Sequence, residues 1–233
     1  MCHDEYMSAY RYEKRMPVVV ILPLIPTIFI GLGLALLIWV GWPILAFQFI
    51  YGNSMISPLS DEIVKPAVAQ SDLTKASNWF GSSVQKVTAP VDIYSISIPK
   101  INIKKAYVKI NNDDLSKSLI HYSDSEIPGR SGNAVIFGHS VLPQFFDQNN
   151  YLTIFSLLPN LKINDEIFVN FDGMSYRYLV TKKTVTEPED VTGLEQRYDG
   201  AYLTLVTCVP PGTYFKRLWV TARLVNFDPA VKK

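Results

Sequence analysis

The stretch that decides the fold is IFVNFDGMSYRYLVTKKTV, at residues 167–185. Its two halves, 167–171 and 176–185, are rich in the β-branched and aromatic residues that are typical of strands. Between them lies Asp172-Gly173, a residue pair that favours the two-residue turn of a β-hairpin. The stretch therefore predicts an antiparallel hairpin.

Similar patterns occur on both sides of this hairpin. Alternating or continuous apolar residues predict five further strands, at 91–98, 101–110, 134–137, 201–207 and 218–227. Two segments, 115–120 and 152–158, predict short helices, since helix-cap residues precede the first and Pro159 ends the second. Many short strands joined by loops indicate a mainly β domain, either a sandwich or a barrel.

A long apolar stretch precedes this domain. The chain has no charged residue from Met16 to Ser60, and residues 17–51 are almost wholly apolar. A membrane-spanning helix needs about 20 such residues. No small-residue cleavage site is evident, so residues 17–51 predict one transmembrane helix that acts as an uncleaved signal anchor.

The charges that flank the apolar stretch predict its orientation. Arg11, Lys14 and Arg15 precede it, whereas Asp61 and Glu62 follow it. Because basic residues favour the cytoplasmic side, we expect a cytoplasmic segment at 1–16 in a single-pass protein of the cell membrane. Outside the cell we expect a linker at 52–90, with a short helix near 73–79, and a folded domain at 91–233.

One cysteine lies in the expected extracellular domain. Cys208 follows the strand at 202–207, and the loop after it begins Val209-Pro210. A thiol nucleophile needs such a rigid platform together with a nearby cation or base. The alternative is a buried cysteine that acts as a small apolar side chain.

Candidate partners for this thiol also stand at strand ends. His139 follows the strand at 134–137, and His121 precedes a turn-rich run, so either could act as a general acid and base. Arg217 opens the last strand and could stabilise an oxyanion near Cys208 if the two strands are neighbours. The alternative is an arginine that faces water.

Composition argues against several other functions. The net charge of the 233 residues is +1, which gives no electrostatic footprint for nucleic acid. The carboxylates form no evident catalytic pair, no Cys/His spacing fits zinc, and no glycine-rich phosphate loop occurs. We therefore expect no cofactor and no metal.

Three ordered stretches together resemble the sortases, which are membrane-anchored cysteine transpeptidases of bacterial surfaces. Ile96-Ser-Ile-Pro-Lys-Ile-Asn-Ile103 resembles the family's opening strands. His121-Tyr122, Pro128-Gly129 and then Gly132-Asn-Ala-Val-Ile-Phe-Gly-His139 resemble the stretch that carries the catalytic histidine. Leu203-Thr-Leu-Val-Thr-Cys208, followed by Arg217, resembles the nucleophile strand and its arginine. The resemblance covers about residues 94–224.

The resemblance implies an eight-stranded β-barrel with short helices. It also implies that Cys208 attacks a C-terminal sorting signal of the Leu-Pro-x-Thr-Gly kind and forms a thioacyl-enzyme. Arg217 would steady the oxyanion, and His139 would protonate the leaving amine. Thr207, Ser140 and His121 are the residues expected to bind substrate. The implied partners are surface proteins with sorting signals and an amine acceptor from a cell-wall precursor or another protein.

The chain departs from the family pattern at two places, and other functions compete with this one. Ser140 follows the histidine where many sortases carry Arg or Thr, and no Asp-Pro precedes the domain where pilin-joining members often carry a lid. Only Asn78-Trp79-Phe80 is a candidate for such a lid, which favours an anchoring member. Papain-like proteases place Cys before His, and L,D-transpeptidases carry Gly before the Cys. A peptide-binding barrel without catalysis is the alternative from another class.

Overall fold

The computed structural model describes residues 24–51, 72, 74–80 and 88–229. The expected cytoplasmic segment at 1–16 lies outside the described residues. So do residues 17–23 of the expected anchor, most of the expected linker at 52–90, and residues 230–233.

The first element is helix α1, Leu24–Tyr51, whose 28 residues include no charged residue. Its side chains are described for residues 26–42, 45 and 46. Over the residues that the structure describes, no helix meets the combined length and hydropathy that are required of a membrane span.

The rest of the described chain is built around a closed barrel of eight strands. Going around the barrel, the strand order is β1-β2-β3-β4-β7-β8-β6-β5, and only the β2–β3 and β4–β7 pairs are parallel. The strands are β1 (Ile93–Ile98), β2 (Ile103–Lys109), β3 (Leu119–His121), β4 (Gly132–Phe137), β5 (Glu166–Phe171), β6 (Met174–Thr186), β7 (Ala201–Val209) and β8 (Lys216–Pro229). Of the two architectures that the strand pattern allowed, the chain forms the barrel.

Short helices lie in the connections and before the first strand. Helix α2 is a single turn, Ser77–Phe80, which overlaps the short helix predicted near 73–79. Four 3-10 turns occur in the described loops, at Pro99–Ile101, Pro143–Phe145, Leu158–Asn160 and Thr192–Leu194. The expectation of a mainly β barrel with short helices is confirmed.

The predicted hairpin forms between β5 and β6. Phe171 pairs with Met174, which leaves Asp172 and Gly173 as the two-residue turn. Their φ angles are 49° and 73°, and positive values at both positions are what a type I′ turn requires.

Two local predictions were wrong, and tertiary contacts explain both. Residues 115–118 form a turn rather than a helix, and Leu119–His121 is strand β3, because this segment pairs with β2 on one side and β4 on the other. Residues 151–157 form a run of turns that leads into a 3-10 turn. There the backbone N–H of Phe155 donates to the carbonyl oxygen of His139 at 2.9 Å instead of continuing a helix.

The strands bury apolar side chains on both faces of the barrel wall. Along β7, Leu203, Leu205 and Val209 point into the barrel core, whereas Val206 and Cys208 belong to a second cluster on the outer face. This outer cluster consists of Ala76, Trp79, Leu115, Ile120, Val135, Phe137, Val206, Cys208 and Trp219. The single cysteine of the described residues therefore lies on an apolar outer surface of the barrel, not in its core.

Gly138 connects β4 to His139, and its substitution tests how tightly the surrounding side chains are packed. A Cβ atom at this position would lie 2.5 Å from Cδ2 of Phe155 and 2.6 Å from Cδ2 of Leu119. We expect Gly138→Ala to lower the free energy of unfolding by about 1–3 kcal/mol, because overpacking displaces buried side chains. Denaturant unfolding would measure the change. Gly200→Ala is the control, since its nearest neighbour is the flexible Arg223 side chain at 3.3 Å. Equal stability of the two variants would contradict the prediction.

Candidate active site

The pairing of β7 with β8 places the thiol beside the arginine. Cys208 lies directly opposite Arg217 in this ladder. Nη1 of Arg217 donates a hydrogen bond to Sγ of Cys208 at 3.3 Å. The two residues are only 5% and 3% exposed, so their interaction is shielded from water. The alternative of an arginine that faces water is wrong.

The Arg217 guanidinium has two further neighbours. Nη1 also donates to the carbonyl oxygen of Tyr214 at 3.3 Å. The guanidinium carbon lies 5.0 Å from the centre of the Trp79 ring, a cation–π distance. Nε of Arg217 is buried, and among the described residues it has no hydrogen-bond partner.

His139 lies beside the same Trp79 ring, at the end of β4. It follows Gly138 at the end of the strand, and its own carbonyl oxygen accepts the bond from Phe155 described above. The imidazole meets the Trp79 ring edge-on, with the ring centres 5.8 Å apart. Its Nε2 atom is buried and, within the described part of the chain, unpaired. The indole of Trp79 thus contacts both His139 and Arg217.

Trp79 belongs to a short covering segment, residues 74–80, that lies on the outer cluster. The Trp79 side chain is 4% exposed and packs against Phe137, with the ring centres 5.8 Å apart. Asp113 holds the segment, because its side chain accepts hydrogen bonds from the backbone N–H and the hydroxyl of Ser77. A backbone bridge between Lys75 and Asp114 fixes the other end.

Burial under this segment governs the ionisation of the thiol and the imidazole. Burial raises the pKa of the Cys208 thiol, and the Arg217 guanidinium offsets only part of the shift. Burial lowers the pKa of His139, and the Asp72 carboxylate opposes that change. Both shifts favour the uncharged form, so the covered site favours a neutral thiol and a neutral imidazole.

Ser140 and Thr207 are two of the residues expected to bind substrate. Their hydroxyl groups form hydrogen bonds that link the ends of β4 and β7. The hydroxyl of Ser140 donates to the carbonyl oxygen of Cys208 at 2.7 Å. The hydroxyl of Thr207 donates to the carbonyl oxygen of Gly138 at 2.8 Å, and Thr207 is fully buried. These bonds fix the spacing between the strand ends that carry His139 and Cys208.

His121, the third such residue, is fully buried, and its side-chain contacts are with Tyr94 and Ser125, not with Cys208, Arg217 or His139. Its Nδ1 atom lies 2.9 Å from the hydroxyl of Tyr94, and its Nε2 atom lies 3.4 Å from the hydroxyl of Ser125. Burial lowers the pKa of His121 to about 4, so it is neutral at physiological pH. Of the two histidines that the residues alone left open, only His139 shares a neighbour with the thiol–arginine pair.

Sequence reasoning gave little weight to Trp79 and none to Asp113. A bulky aromatic within an otherwise polar linker was the available signal for Trp79. Asp113 lies in a turn-rich run, where an aspartate is ordinary. Among the described residues, no group of three or more His, Cys, Asp or Glu side chains could hold a metal ion.

Comparisons with known proteins point to one family. A family model described as the sortase domain matches residues 96–225, which is more than half of the chain. Sortase D of Bacillus subtilis (strain 168) is 27% identical over 116 residues, which cover 49% of this chain and 53% of that relative. The chain thus aligns with about half the length of this curated relative.

Two solved structures have the same fold. The sortase D5 transpeptidase of Clostridium perfringens is 25% identical, with a TM-score of 0.50, over 60% of this chain and 82% of that one. Sortase C1 of Streptococcus suis is 26% identical, with a TM-score of 0.51, over 58% of this chain and 74% of that one.

The covering segment should control access to the thiol. We expect Trp79→Ala to speed alkylation of Cys208 by iodoacetamide by about tenfold or more, because opening no longer breaks a cation–π contact worth about 1–2 kcal/mol. Asp113→Asn should act in the same direction but more weakly. Tyr107→Ala, which removes an exposed aromatic from β2, is the control. An unchanged rate in Trp79→Ala would show that the segment does not protect the thiol.

The pH dependence of alkylation tests the role of Arg217 in ionisation. Because burial holds the pKa of Cys208 above its ordinary value, the wild-type rate should keep rising into alkaline solution. A nearby cation stabilises the thiolate, so Arg217→Gln should move the profile to still higher pH and Arg217→Lys should restore part of the shift. Circular dichroism would check that each variant is folded. A profile that moves to lower pH in Arg217→Gln would contradict this interpretation.

Proposed function

This chain belongs to the sortase family, and on that premise we propose that it is a cysteine transpeptidase. It cleaves a C-terminal sorting signal of the Leu-Pro-x-Thr-Gly kind and transfers the protein to an amine. The observation that carries the proposal is the buried contact between Cys208 and Arg217, with His139 against the same indole. A thiol, a cation and a potential acid and base meet there at the ends of three strands.

The proposed reaction begins with proton transfer from the Cys208 thiol to Nε2 or Nδ1 of His139. The thiolate attacks the carbonyl carbon of the signal's threonine, and the Arg217 guanidinium stabilises the oxyanion. His139 returns the proton to the amine as the bond between threonine and glycine breaks. The thioacyl-enzyme splits one difficult acyl transfer into two easier ones. An incoming amine then attacks the thioester, and His139 accepts its proton.

The resting state in this proposal is a neutral pair. Thiol and imidazole are both held uncharged by burial, so charge separation occurs only after the site changes. Displacement of Trp79 by substrate removes part of that burial and leaves Arg217 to favour the thiolate. Reactivity would then depend on substrate binding, which protects an extracellular thiol from adventitious oxidation.

The sorting signal would bind along the outer cluster. Its apolar leucine and proline suit the surface formed by Val135, Phe137 and Val206, which the covering segment now occupies. Ser140 would flank the signal near the thiol, whereas the fully buried Thr207 would act on the site through its bond to the Gly138 carbonyl oxygen. His121 would contribute at a distance, because its neighbour Tyr122 packs against Phe137 with the ring centres 5.5 Å apart.

The proposed setting is the outer surface of a cell membrane. Residues 17–51 would form the single transmembrane anchor, residues 1–16 would be cytoplasmic, and residues 52–90 would link the anchor to a catalytic domain at 91–233. The uncharged α1 supports an anchor. Partners would be surface proteins with sorting signals and an amine on a cell-wall precursor or another protein. Holding both substrates at one membrane surface raises their effective concentration.

The test is whether Cys208 forms a thioacyl adduct that an amine discharges. The full chain in detergent would be incubated with a library of Leu-Pro-x-Thr-Gly peptides and followed by intact mass, with and without triglycine. We expect Cys208→Ala to abolish the adduct. His139→Gln and Arg217→Gln should slow its formation by about a thousandfold or more, since residues that act as one unit lose most of the rate singly.

The same experiment separates the enzyme from a binding protein without catalysis. Gly200→Ala, whose nearest neighbour is the flexible Arg223 side chain, is the control for general effects of substitution on the barrel. Peptide that binds the wild-type protein without any thiol-dependent product would favour the non-catalytic barrel. Transpeptidation that survives in Cys208→Ala would refute the proposed nucleophile.

A further inference from the structure

Residues 138–141, which carry His139 beyond the end of β4, lie between two supports. On one side is β7, which bonds to the backbone of Gly138 and to the hydroxyl of Ser140. On the other side is a supporting segment, residues 153–161, at the end of the connection from β4 to β5. The supporting segment bonds to the backbone on both sides of Ser140.

The bonds from the supporting segment come from two consecutive residues. The backbone N–H of Phe155 donates to the carbonyl oxygen of His139, as described above. The side-chain oxygen of Ser156 accepts a hydrogen bond from the backbone N–H of Val141 at 2.9 Å, and Ser156 is only 1% exposed. Because the backbone conformation decides which rotamers a side chain can adopt, these two bonds restrict the direction of the His139 imidazole.

The supporting segment is itself anchored to the barrel. Ile154 and Leu158 are fully buried in the barrel core. From β6, the Lys183 ammonium donates to the carbonyl oxygens of Pro159 and Leu161, both at 2.6 Å. None of these anchors belongs to the covering segment. The supporting segment can therefore keep its place when the covering segment moves.

The Trp79 ring also restrains the imidazole, but only while the covering segment is in place. The centres of the Trp79 and His139 rings are 5.8 Å apart. In the proposed reaction the substrate displaces Trp79, so the imidazole loses this neighbour. A catalytic base must still keep its direction, since a small misplacement of a reacting group lowers the rate strongly. The bonds from Phe155 and Ser156 are the restraints that remain on this side of His139.

We propose that Ser156 is a positioning residue, which keeps the His139 imidazole in its reactive direction once the covering segment has moved. It acts through the backbone of Val141 and not through contact with substrate. This inference rests on the proposed transpeptidase function. Of the two bonds from the supporting segment, that of Phe155 comes from the backbone, whereas that of Ser156 comes from a side chain and can be removed by substitution.

The kinetic test removes this side-chain acceptor and then restores it. Ser156→Ala should lower kcat for transpeptidation by about tenfold or more and leave the KM for the signal peptide nearly unchanged, because it affects the reacting base and not binding. Ser156→Thr keeps the hydroxyl and should recover most of kcat. Thr153→Val is the matched control, since it removes another buried hydroxyl of the same segment that bonds to Asp147 and Asn150 instead.

The same variants separate positioning from a general loss of structure. Denaturant unfolding of Ser156→Ala and Thr153→Val would show how far each substitution destabilises the barrel. A fall in kcat that is specific to Ser156→Ala and is reversed in Ser156→Thr supports the proposal. Equal falls in kcat in Ser156→Ala and Thr153→Val would overturn it. So would a defect of Ser156→Ala that lies in KM alone.

An NMR experiment keeps the two proposals distinguishable. The full chain in detergent is labelled with isotopic histidine, and the Cε1–Hε1 signal of His139 is identified by its loss in His139→Gln. We expect one sharp signal in Trp79→Ala and in Trp79→Ala/Thr153→Val, but a broadened or split signal in Trp79→Ala/Ser156→Ala, whose imidazole samples several directions.

This signal reports on the imidazole whether or not the chain catalyses transpeptidation. If the wild-type protein forms no thioacyl-enzyme, the proposed function fails, and the His139 signal still decides whether Ser156 orients the ring. An identical His139 signal in Trp79→Ala and Trp79→Ala/Ser156→Ala overturns the inference. A signal that is already broadened in Trp79→Ala overturns it as well, because Ser156 would then not hold the imidazole by itself.

Discussion

The candidate site depends on one strand pairing, the antiparallel register of β7 with β8 that sets Cys208 opposite Arg217. A register shift of one residue would turn one of the two side chains to the other face of the barrel wall, and their contact would be lost. Closure of the barrel fixes that register, because β7 also pairs with β4 and β8 also pairs with β6 along most of their lengths. The β4–β7 ladder extends to Phe137, two residues before His139. Backbone hydrogen bonds of the barrel wall therefore hold the side chains of Cys208, Arg217 and His139 in place.

The covering segment shields the Arg217 guanidinium from water, and Trp79 of the same segment replaces part of the lost hydration. A guanidinium that is 3% exposed has lost most of its hydration, and no carboxylate contacts it among the described residues. The face of the Trp79 ring supplies partial negative charge at 5.0 Å, and the Tyr214 carbonyl accepts one hydrogen bond. Such contacts compensate only part of the lost hydration. The covered site is thus held with a charge that is incompletely satisfied.

Much of the barrel could be predicted from local pattern, and the exceptions have a common cause. The β5–β6 hairpin followed from Asp172-Gly173, because a type I′ turn is decided by two residues. Strand β3 could not be found in this way, since Leu119–His121 is a strand only through its pairing with β2 and β4. At the site, the strand-end positions of His139 and Cys208 were visible in the sequence. The contact of Trp79 with both Arg217 and His139 was not, because it joins residues more than 50 positions apart through packing alone.

The two unpaired atoms of the site bear on the proposed displacement of the indole by a peptide. Nε of Arg217 and Nε2 of His139 are buried without partners among the described residues, and an unsatisfied buried polar group costs about 1–3 kcal/mol. An aromatic ring cannot satisfy them, whereas a peptide offers carbonyl oxygens to the guanidinium and an amide nitrogen to the imidazole. A peptide that displaces Trp79 would exchange the contacts of the indole with Arg217, His139 and Phe137 for two hydrogen bonds that the covered site lacks. The covering segment can therefore protect the thiol and still yield to a substrate, provided that the substrate brings both an apolar side chain and a peptide bond. A purely apolar competitor would match the indole but leave both atoms unpaired.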